Sequence, residues 1–231
     1  MRARNHRVLI VDDTSTDGTA ALGDRLAAEL PAVEVLHRTG RKGLGRAYLA
    51  GFERALAGGA ELVMVMDADF SHDPAHIPAL LAAAEHSDLV LGSRYVPGGG
   101  IVDWPRVRRL LSRAGSIYAR AILNMEVRDL TGGFRCIRRQ VLEAVDLAGL
   151  RAQGYVFNIE LTFRAQRAGF RVTEVPITDH ERTAGESKIS LGIAIEALWL
   201  MPVLRLPSRA SFRRGAQAGA SPAAGPPAAG P

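Results

Sequence analysis

The sequence predicts an α/β fold with a mostly parallel sheet flanked by helices, on three observations. Short apolar runs rich in β-branched residues alternate with longer stretches of helical periodicity. The runs are nearly continuous in apolar character, as strands covered on both faces are. Two of them end in closely spaced aspartates. Ligands in such sheets sit beyond the carboxyl ends of the strands, so these aspartates mark a candidate site.

Each element has a local reason. "RVLIVDD" (7–13) is a β-branched run and predicts a strand. "STDGTAALGDRLAAEL" (15–30) opens with capping residues and continues with helical spacing, and "AVEVLHR" (32–38) is a second strand. "GLGRAYLAGFERALAGG" (43–59) follows as a helix, and "AELVMVMDAD" (60–69) as a strand. "DPAHIPALLAAAEH" (73–86) supplies another helix and "SDLVLGSRY" (87–95) another strand. "RVRRLLSRAGSIYAR" (106–120) predicts a helix with Val107, Leu110, Leu111, Ala114 and Tyr118 on one face and arginines around it. It reads as a docking face or as an ordinary solvated helix.

The late apolar stretch "ISLGIAIEALWLMPVLRLP" (189–207) is interrupted by Glu196 and Pro202 and is too broken for a membrane span. With Trp199 and the following Arg205, Arg209, Arg213 and Arg214, it suits a helix lying on anionic headgroups; a core-packed final helix is the other reading. Residues 207–231 are rich in Ala, Gly and Pro, without the apolar bulk to offset ordering entropy, and predict a disordered tail after one main domain over 1–206.

A chain of 231 residues, 47% hydrophobic and 23% charged, holds one sizeable core. The single cysteine, Cys136, has neither a disulfide partner nor nearby metal-ligating residues, and reads as a buried thiol in a reducing compartment. A net charge of +5 favours an acidic partner without separating nucleic acid from phosphorylated lipid or an anionic membrane. The first residues reach Asp12 and Asp13 before a signal-like apolar stretch develops.

"VDDTSTDGT" is open to two readings: the acidic pocket of a phospho-accepting receiver, with Asp67 as the acceptor, or an inner strand of a sugar-nucleotide-binding sheet. The long remainder, dense in Gly, Arg and Asp motifs, disfavours the receiver. In "MDADFS", Asp67 and Asp69 at a strand end suit a divalent cation bridging diphosphate oxygens, with Ser71 adding an oxygen or a water contact. "HRTGRKGLGRAY" places Gly40, Gly43 and Gly45 with Arg41 and Lys42 before a helix, where backbone N–H groups and positive charge suit phosphate. Asp129 and Thr131 in "DLTGGFR" read as a turn or as part of the site. Glu160 reads as an orienting partner for an arginine or as a substrate contact. His72 and His76 read as solvent-facing or capping residues, and Trp104 as touching either lipid or core.

"VDDTSTDGT", "GLGRAY", "VMDADFSHDP", "LGSRYVPGG", "DLTGGFR", "GYVFNIEL" and "GESKIS", in that order from about Val8 to Leu206, resemble the polyprenol- (dolichol-) phosphate mannose synthases of glycosyltransferase family 2. Single pieces recur across that family, whereas "DLTGGFR" combined with "GESK" is much more specific to its lipid-phosphate branch. The resemblance implies a GT-A-like fold and inverting transfer of mannose from GDP-mannose to a polyprenyl monophosphate with Mg²⁺ or Mn²⁺. Transfer of another hexose, such as glucose from UDP-glucose, and a catalytically inactive membrane-binding subunit are the alternatives.

Carried over by position, the resemblance places Asp12, Asp13, Lys42, Gly43, Asp67, Arg182 and Ser187 at the donor, and Asp67, Asp69 and Ser71 at the metal. Arg94, Arg109 and Arg113 fall at the acceptor phosphate; Asp69, Arg94 and Lys188 carry catalysis. Arg182, Ser187 and Lys188 match a mobile loop that closes over the diphosphate. The implied setting is peripheral, at the cytoplasmic face of a membrane, with a separate membrane protein as a candidate anchor and no nucleic acid partner. One departure stands out: family members begin with a further strand and helix bearing a "P-T-Y-N-E"-like run, and this sequence starts at what resembles their second strand. The expectation is a truncated reading of a longer enzyme, with apolar surface and unpaired backbone left where a central strand would lie.

Overall fold

Strands form where the apolar runs predict them, and their surroundings decide how deeply they are buried. The computed structural model describes residues 6–150, 154, 156–181 and 199–205. In chain order these form β1 (Val8–Asp12), α1 (Thr19–Glu29), β2 (Val33–His37), α2 (Leu44–Ala57), β3 (Leu62–Val65), α3 (Ile77–Ala83) and β4 (Leu89–Ser93). There follow β5 (Gly100–Val102), α4 (Arg106–Leu123), β6 (Arg135–Arg138), α5 (Arg139–Ala144), α6 (Val156–Arg167), β7 (Val172–Pro176) and β8 (Thr178–His180).

The main sheet runs β3-β6-β4-β7, with β4 and β7 parallel and β6 antiparallel to both neighbours. β1 and β2 form a separate parallel pair, and β5 and β8 another. The two-residue strand period divides the core. Leu89 and Leu91 of β4 and Ile137 of β6 join Phe52, Phe157 and Leu161 in the larger cluster, beneath α2, α4 and α6. Val90 and Cys136 point the other way, to Leu80 of α3, Phe134 and Ile177. Cys136 is a buried free thiol, as expected. Met201 is fully buried in the larger cluster while Trp199 is 76% exposed, so the helical residues 199–205 combine a core-packed side with an outward aromatic.

Helix α4 departs from the usual orientation. The predicted apolar face exists, but Val107 (69% exposed), Leu110 (70%), Leu111 and Ile117 point to solvent, while Ser112, Ser116, Ala119 and Leu123 are buried. Tyr118, grouped with that face by spacing, packs against the larger core instead. Ser112 tolerates burial because the Tyr95 hydroxyl donates to its Oγ at 2.9 Å, and it shares a 3.1 Å bond with Thr131. Asn124, at φ 53°, ends the helix in a left-handed cap.

Candidate active site

The loops after β1 and β2 are stitched to each other. Asp12 is buried; its Oδ1 accepts from the Ser15 N–H at 3.1 Å, and its Oδ2 lies 3.4 Å from His37 Nδ1. The Ser15 hydrogen bonds outweigh burial and hold the Asp12 carboxyl below the usual carboxylate range. Asp13 accepts from the Arg38 guanidinium and, at 2.7 Å, from the Gly43 N–H. Gly43, at φ 147°, opens α2 in a conformation that side chains disfavour, and Lys42 Nζ donates to the Thr14 carbonyl at 2.9 Å. His37 Nε2 lies 2.7 Å from Asp24, and that contact, with Asp12 second, raises the imidazole pKa.

The acidic turn after β3 is held as firmly. The Asp67 N–H donates to His72 Nδ1 at 3.0 Å, and Asp69 Oδ1 accepts from the Ser71 N–H (3.1 Å) and hydroxyl (2.6 Å). Between them Phe70 is 78% exposed at φ 64°, an outlier for a bulky residue of the kind found at functional sites. Of the two glycines of "DLTGGFR", Gly133 presses against the turn and Gly132 against β4. A Cβ on Gly133 would lie 3.3 Å from both Asp67 carboxylate oxygens and from the Tyr48 hydroxyl, and one on Gly132 would lie 3.2 Å from the Gly92 carbonyl.

Asp12, Asp13, Lys42, Gly43, Asp67 and Asp69 all line one cleft of about 2130 Å³. Six of the expected site residues, from three separate loops, therefore converge. Among the described residues no group of three or more His, Cys, Asp or Glu side chains is placed to hold a metal. Two carboxylates on one turn nevertheless fit a hard cation that takes one or two protein oxygens and completes its shell with substrate phosphates. Ser71 departs from expectation. It is buried, outside the cleft lining, with its hydroxyl on Asp69, so it orients a carboxylate rather than offering an oxygen to the cleft.

Arg94 is the larger correction. Its side chain is buried, with Nε and Nη2 each 2.7 Å from an Asp129 oxygen and Nη2 also 2.8 Å from Thr131 Oγ1. Its backbone N–H donates to the same carboxylate at 3.0 Å, and its guanidinium lies over the Tyr95 and Trp104 rings. Burial alone would raise the Asp129 pKa, but Arg94's charge and hydrogen bonds outweigh it and hold the carboxyl low. The Nε–Nη2 edge, the one that would grip two phosphate oxygens, is therefore taken by Asp129, and Nη1 lies 3.9 Å from Asp179. By contrast Arg109 and Arg113 stand exposed on α4, among its outward apolar residues.

Several residues gained roles that local pattern did not show. His72 is buried and stacked on Phe134, with its Nε2 3.9 Å from Asp179. Trp104 is buried too, donating to Asp179 Oδ1 at 3.0 Å, with the Arg108 guanidinium 3.7 Å from its ring centre. The His180 N–H donates to the Ser71 carbonyl at 3.1 Å, so β8 ties the acidic turn to β5 and the base of α4. Glu160 is buried and pairs with Arg164 at 2.6 Å, the orienting role. Arg135 is fully buried among the carbonyls of Leu130, Gly132 and Asn158, and burial lowers its pKa to about 10. The one sequence signal for the His72 and Asp179 contacts is the proximity of His72 to Asp69. Arg182, Ser187 and Lys188 lie outside the described residues.

The chain is similar to known proteins. The chain is 50% identical over 191 residues to the undecaprenyl-phosphate mannosyltransferase of Micrococcus luteus, covering 83% of this chain and 79% of that one. It is 46% identical over 210 residues to the polyprenol monophosphomannose synthase of Mycolicibacterium smegmatis, covering 90% and 79%. Glucosyl-3-phosphoglycerate synthase from Mycobacterium tuberculosis with phosphoglyceric acid shares the fold, with a TM-score of 0.62, 19% identity and coverage of 88% and 70%. The same enzyme with Mn²⁺, UDP-glucose and phosphoglyceric acid gives 0.61 at 20% identity, covering 87% and 69%. The α/β architecture is thus that of the GT-A nucleotide-sugar transferases, and with its residues 2–146 matching the family's profile, this chain belongs to glycosyl transferase family 2.

Proposed function

We propose that this chain transfers mannose, with inversion, from GDP-mannose to a polyprenyl monophosphate at a membrane surface. The convergence of Asp67 and Asp69 with Asp13, Lys42 and Gly43 in one cleft carries the reading, alongside two relatives whose names specify mannosyl transfer and polyprenol monophosphomannose synthesis. Asp67 and Asp69 would hold Mg²⁺ or Mn²⁺, which supplies charge neutralisation for the departing diphosphate. Lys42 and the α2 N-terminus add positive potential beside it, and Arg182, Ser187 and Lys188 are assigned by sequence to the same leaving group.

The acceptor needs little activation. A phosphate monoester has a second pKa near 6, so its oxygen is largely ionised at neutral pH without a protein base. Arg109 and Arg113 are the exposed cations proposed to receive it, since a guanidinium fork pairs with two phosphate oxygens. The outward apolar residues of α4 and Trp199 support docking on a bilayer, where apolar side chains enter the headgroup boundary and arginines meet anionic lipid. Among the described residues no helix is long and apolar enough to cross a membrane.

Radiolabelled mannose transfer from GDP-mannose to polyprenyl phosphate in detergent, with Mg²⁺ or Mn²⁺, tests the reading against Asp69→Ala. Metal-dependent product that the substitution abolishes supports it. Product from UDP-glucose alone, or none from folded protein, overturns it.

A further inference from the structure

Asp179 is a buried carboxylate that the proposed reaction does not use. It stands on β8, outside the cleft lining, where three parts of the molecule meet. Its Oδ1 accepts from the Trp104 indole at 3.0 Å, and its Oδ2 lies 3.9 Å from both Arg94 Nη1 and His72 Nε2. Both nearby arginines are already engaged, Arg94 by Asp129 and Arg108 by Glu181. Burial pushes the Asp179 carboxyl up, whereas Arg94, then His72 and the Trp104 N–H, pull it down, so these neighbours favour the charged form. The His72 ring is left facing that charge.

On its other side His72 reaches the acidic turn. It is buried and stacked on Phe134, and its Nδ1 accepts the Asp67 N–H at 3.0 Å. A ring nitrogen that accepts a hydrogen bond carries no proton, so the ring proton belongs on Nε2, the atom turned to Asp179. At 3.9 Å the carboxylate acts on that N–H through its charge rather than as a direct acceptor. A charge so placed is weakly screened in a buried setting, and it favours the tautomer with its proton on the near side.

The turn needs such a hold. Phe70 sits at φ 64° between Asp69 and Ser71, a strained conformation that persists only where the surroundings fix it. His72 closes the turn on Asp67, and β8 grips it from outside, through the His180 N–H on the Ser71 carbonyl and an isolated antiparallel bridge between His72 and Asp179. The other tautomer would set two N–H groups against each other at 3.0 Å and release the Asp67 backbone.

We propose that Asp179 is a positioning residue for the acidic turn. Its charge keeps the His72 proton on Nε2, so that Nδ1 holds the Asp67 backbone and, with it, the two carboxylates proposed to bind the cation. The effect on the cation rests on the proposed function, whereas the tautomer and the backbone bond do not.

The test uses the full chain with ¹⁵N-labelled histidine rings, at a pH of about 8.5, above the ordinary histidine value of about 6.5. His72 signals are assigned by their loss in His72→Asn. The proton is expected on Nε2 in the unsubstituted chain and on either nitrogen in Asp179→Asn, with the Asp67 amide exchanging at least about tenfold faster in that variant. Mn²⁺ with GDP, followed by electron paramagnetic resonance, should bind Asp179→Asn about tenfold more weakly. His72→Asn, whose side-chain oxygen can stand where Nδ1 stood, should keep most of the Mn²⁺ affinity, and adding Asp179→Asn to it should change nothing further. An equal further loss in that background would show that Asp179 acts by general charge, and overturns the proposal. A proton on Nδ1 in the unsubstituted chain overturns it too, as do an unaltered tautomer and unaltered Asp67 exchange in folded Asp179→Asn. Asp179→Ser, read in the same way, replaces Asp179→Asn if the latter does not fold. A chain with the expected tautomer that binds no Mn²⁺ with GDP refutes only the cation site proposed above.

Discussion

Arg94 and Asp129 meet in a buried two-pronged contact, Nε and Nη2 each 2.7 Å from a carboxylate oxygen, with the Arg94 backbone closing on the same group. The contact joins the end of β4 to the "DLTGGFR" turn, and so fixes Gly133 against Asp67. Removing one partner strands a charge in the core. Asp129→Ala should lower unfolding stability by about 3–5 kcal/mol in urea titrations. Arg94→Met with Asp129→Leu should recover much of it, and a double variant as unstable as Asp129→Ala would show that the pair does more than neutralise charge.

His37 predicts a pH dependence of known sign. Its pKa is raised in the folded chain, first by Asp24 and then by Asp12, so its stabilising contribution is fully present below the ordinary histidine value of about 6.5. That contribution is lost as pH rises through the folded-state pKa. His37→Asn should flatten this part of the stability profile, and NMR titration of the imidazole should read a value above the ordinary one; a value at or below it contradicts the assignment.

Gly133→Ala places a methyl group 3.3 Å from both Asp67 oxygens and the Tyr48 hydroxyl. Because the neighbour it displaces is a proposed metal ligand, the metal concentration for half-maximal transfer should rise by roughly tenfold, with the melting temperature little changed. A large fall in melting temperature at unaltered metal requirement would make the contact purely structural.

Ser71→Ala removes the 2.6 Å hydroxyl bond that holds Asp69. It should raise the metal requirement in the same direction while leaving binding of acceptor lipid unchanged, a split readable from separate metal and lipid titrations. Loss of lipid affinity at constant metal requirement would count against an orienting role.

The outward face of α4 gives a prediction independent of catalysis. Leu110→Glu with Leu111→Glu should weaken sedimentation with anionic vesicles by at least about tenfold, since each substitution removes apolar burial and adds repulsion. Stability should hold, because both side chains are exposed in the free chain. Unchanged vesicle binding would move the membrane contact elsewhere.

Local chemistry alone determined much of this protein. The runs 7–13, 32–38, 60–69 and 87–95 read as strands because apolar, β-branched residues favour a pleated, covered surface, and β1 to β4 lie within them. Asp12, Asp13, Lys42, Gly43, Asp67 and Asp69 were legible because strand ends and helix starts place their residues predictably, and they share one cleft. The later strands and helices, β5 to β8 with α5 and α6, carried no such local signature; β5, β6 and β8 are only three or four residues long, and the pairings of these strands join residues distant in sequence.

Only the tertiary structure decided what each charge and each apolar face does. The resemblance put Arg94 near a phosphate, but its charge is met by Asp129, 35 residues away, because a buried guanidinium needs its charge and hydrogen bonds satisfied where it lies. Periodicity found the apolar face of α4 but not its direction, which is set by Tyr95 and Thr131 bonding Ser112 and by Ala119 and Leu123 packing into the core on the opposite face. The half-buried edges of β1 and β3 were likewise invisible in their own residues. A strand's sequence states that it should be covered, and only the packed chain shows whether a partner lies alongside to form its hydrogen bonds.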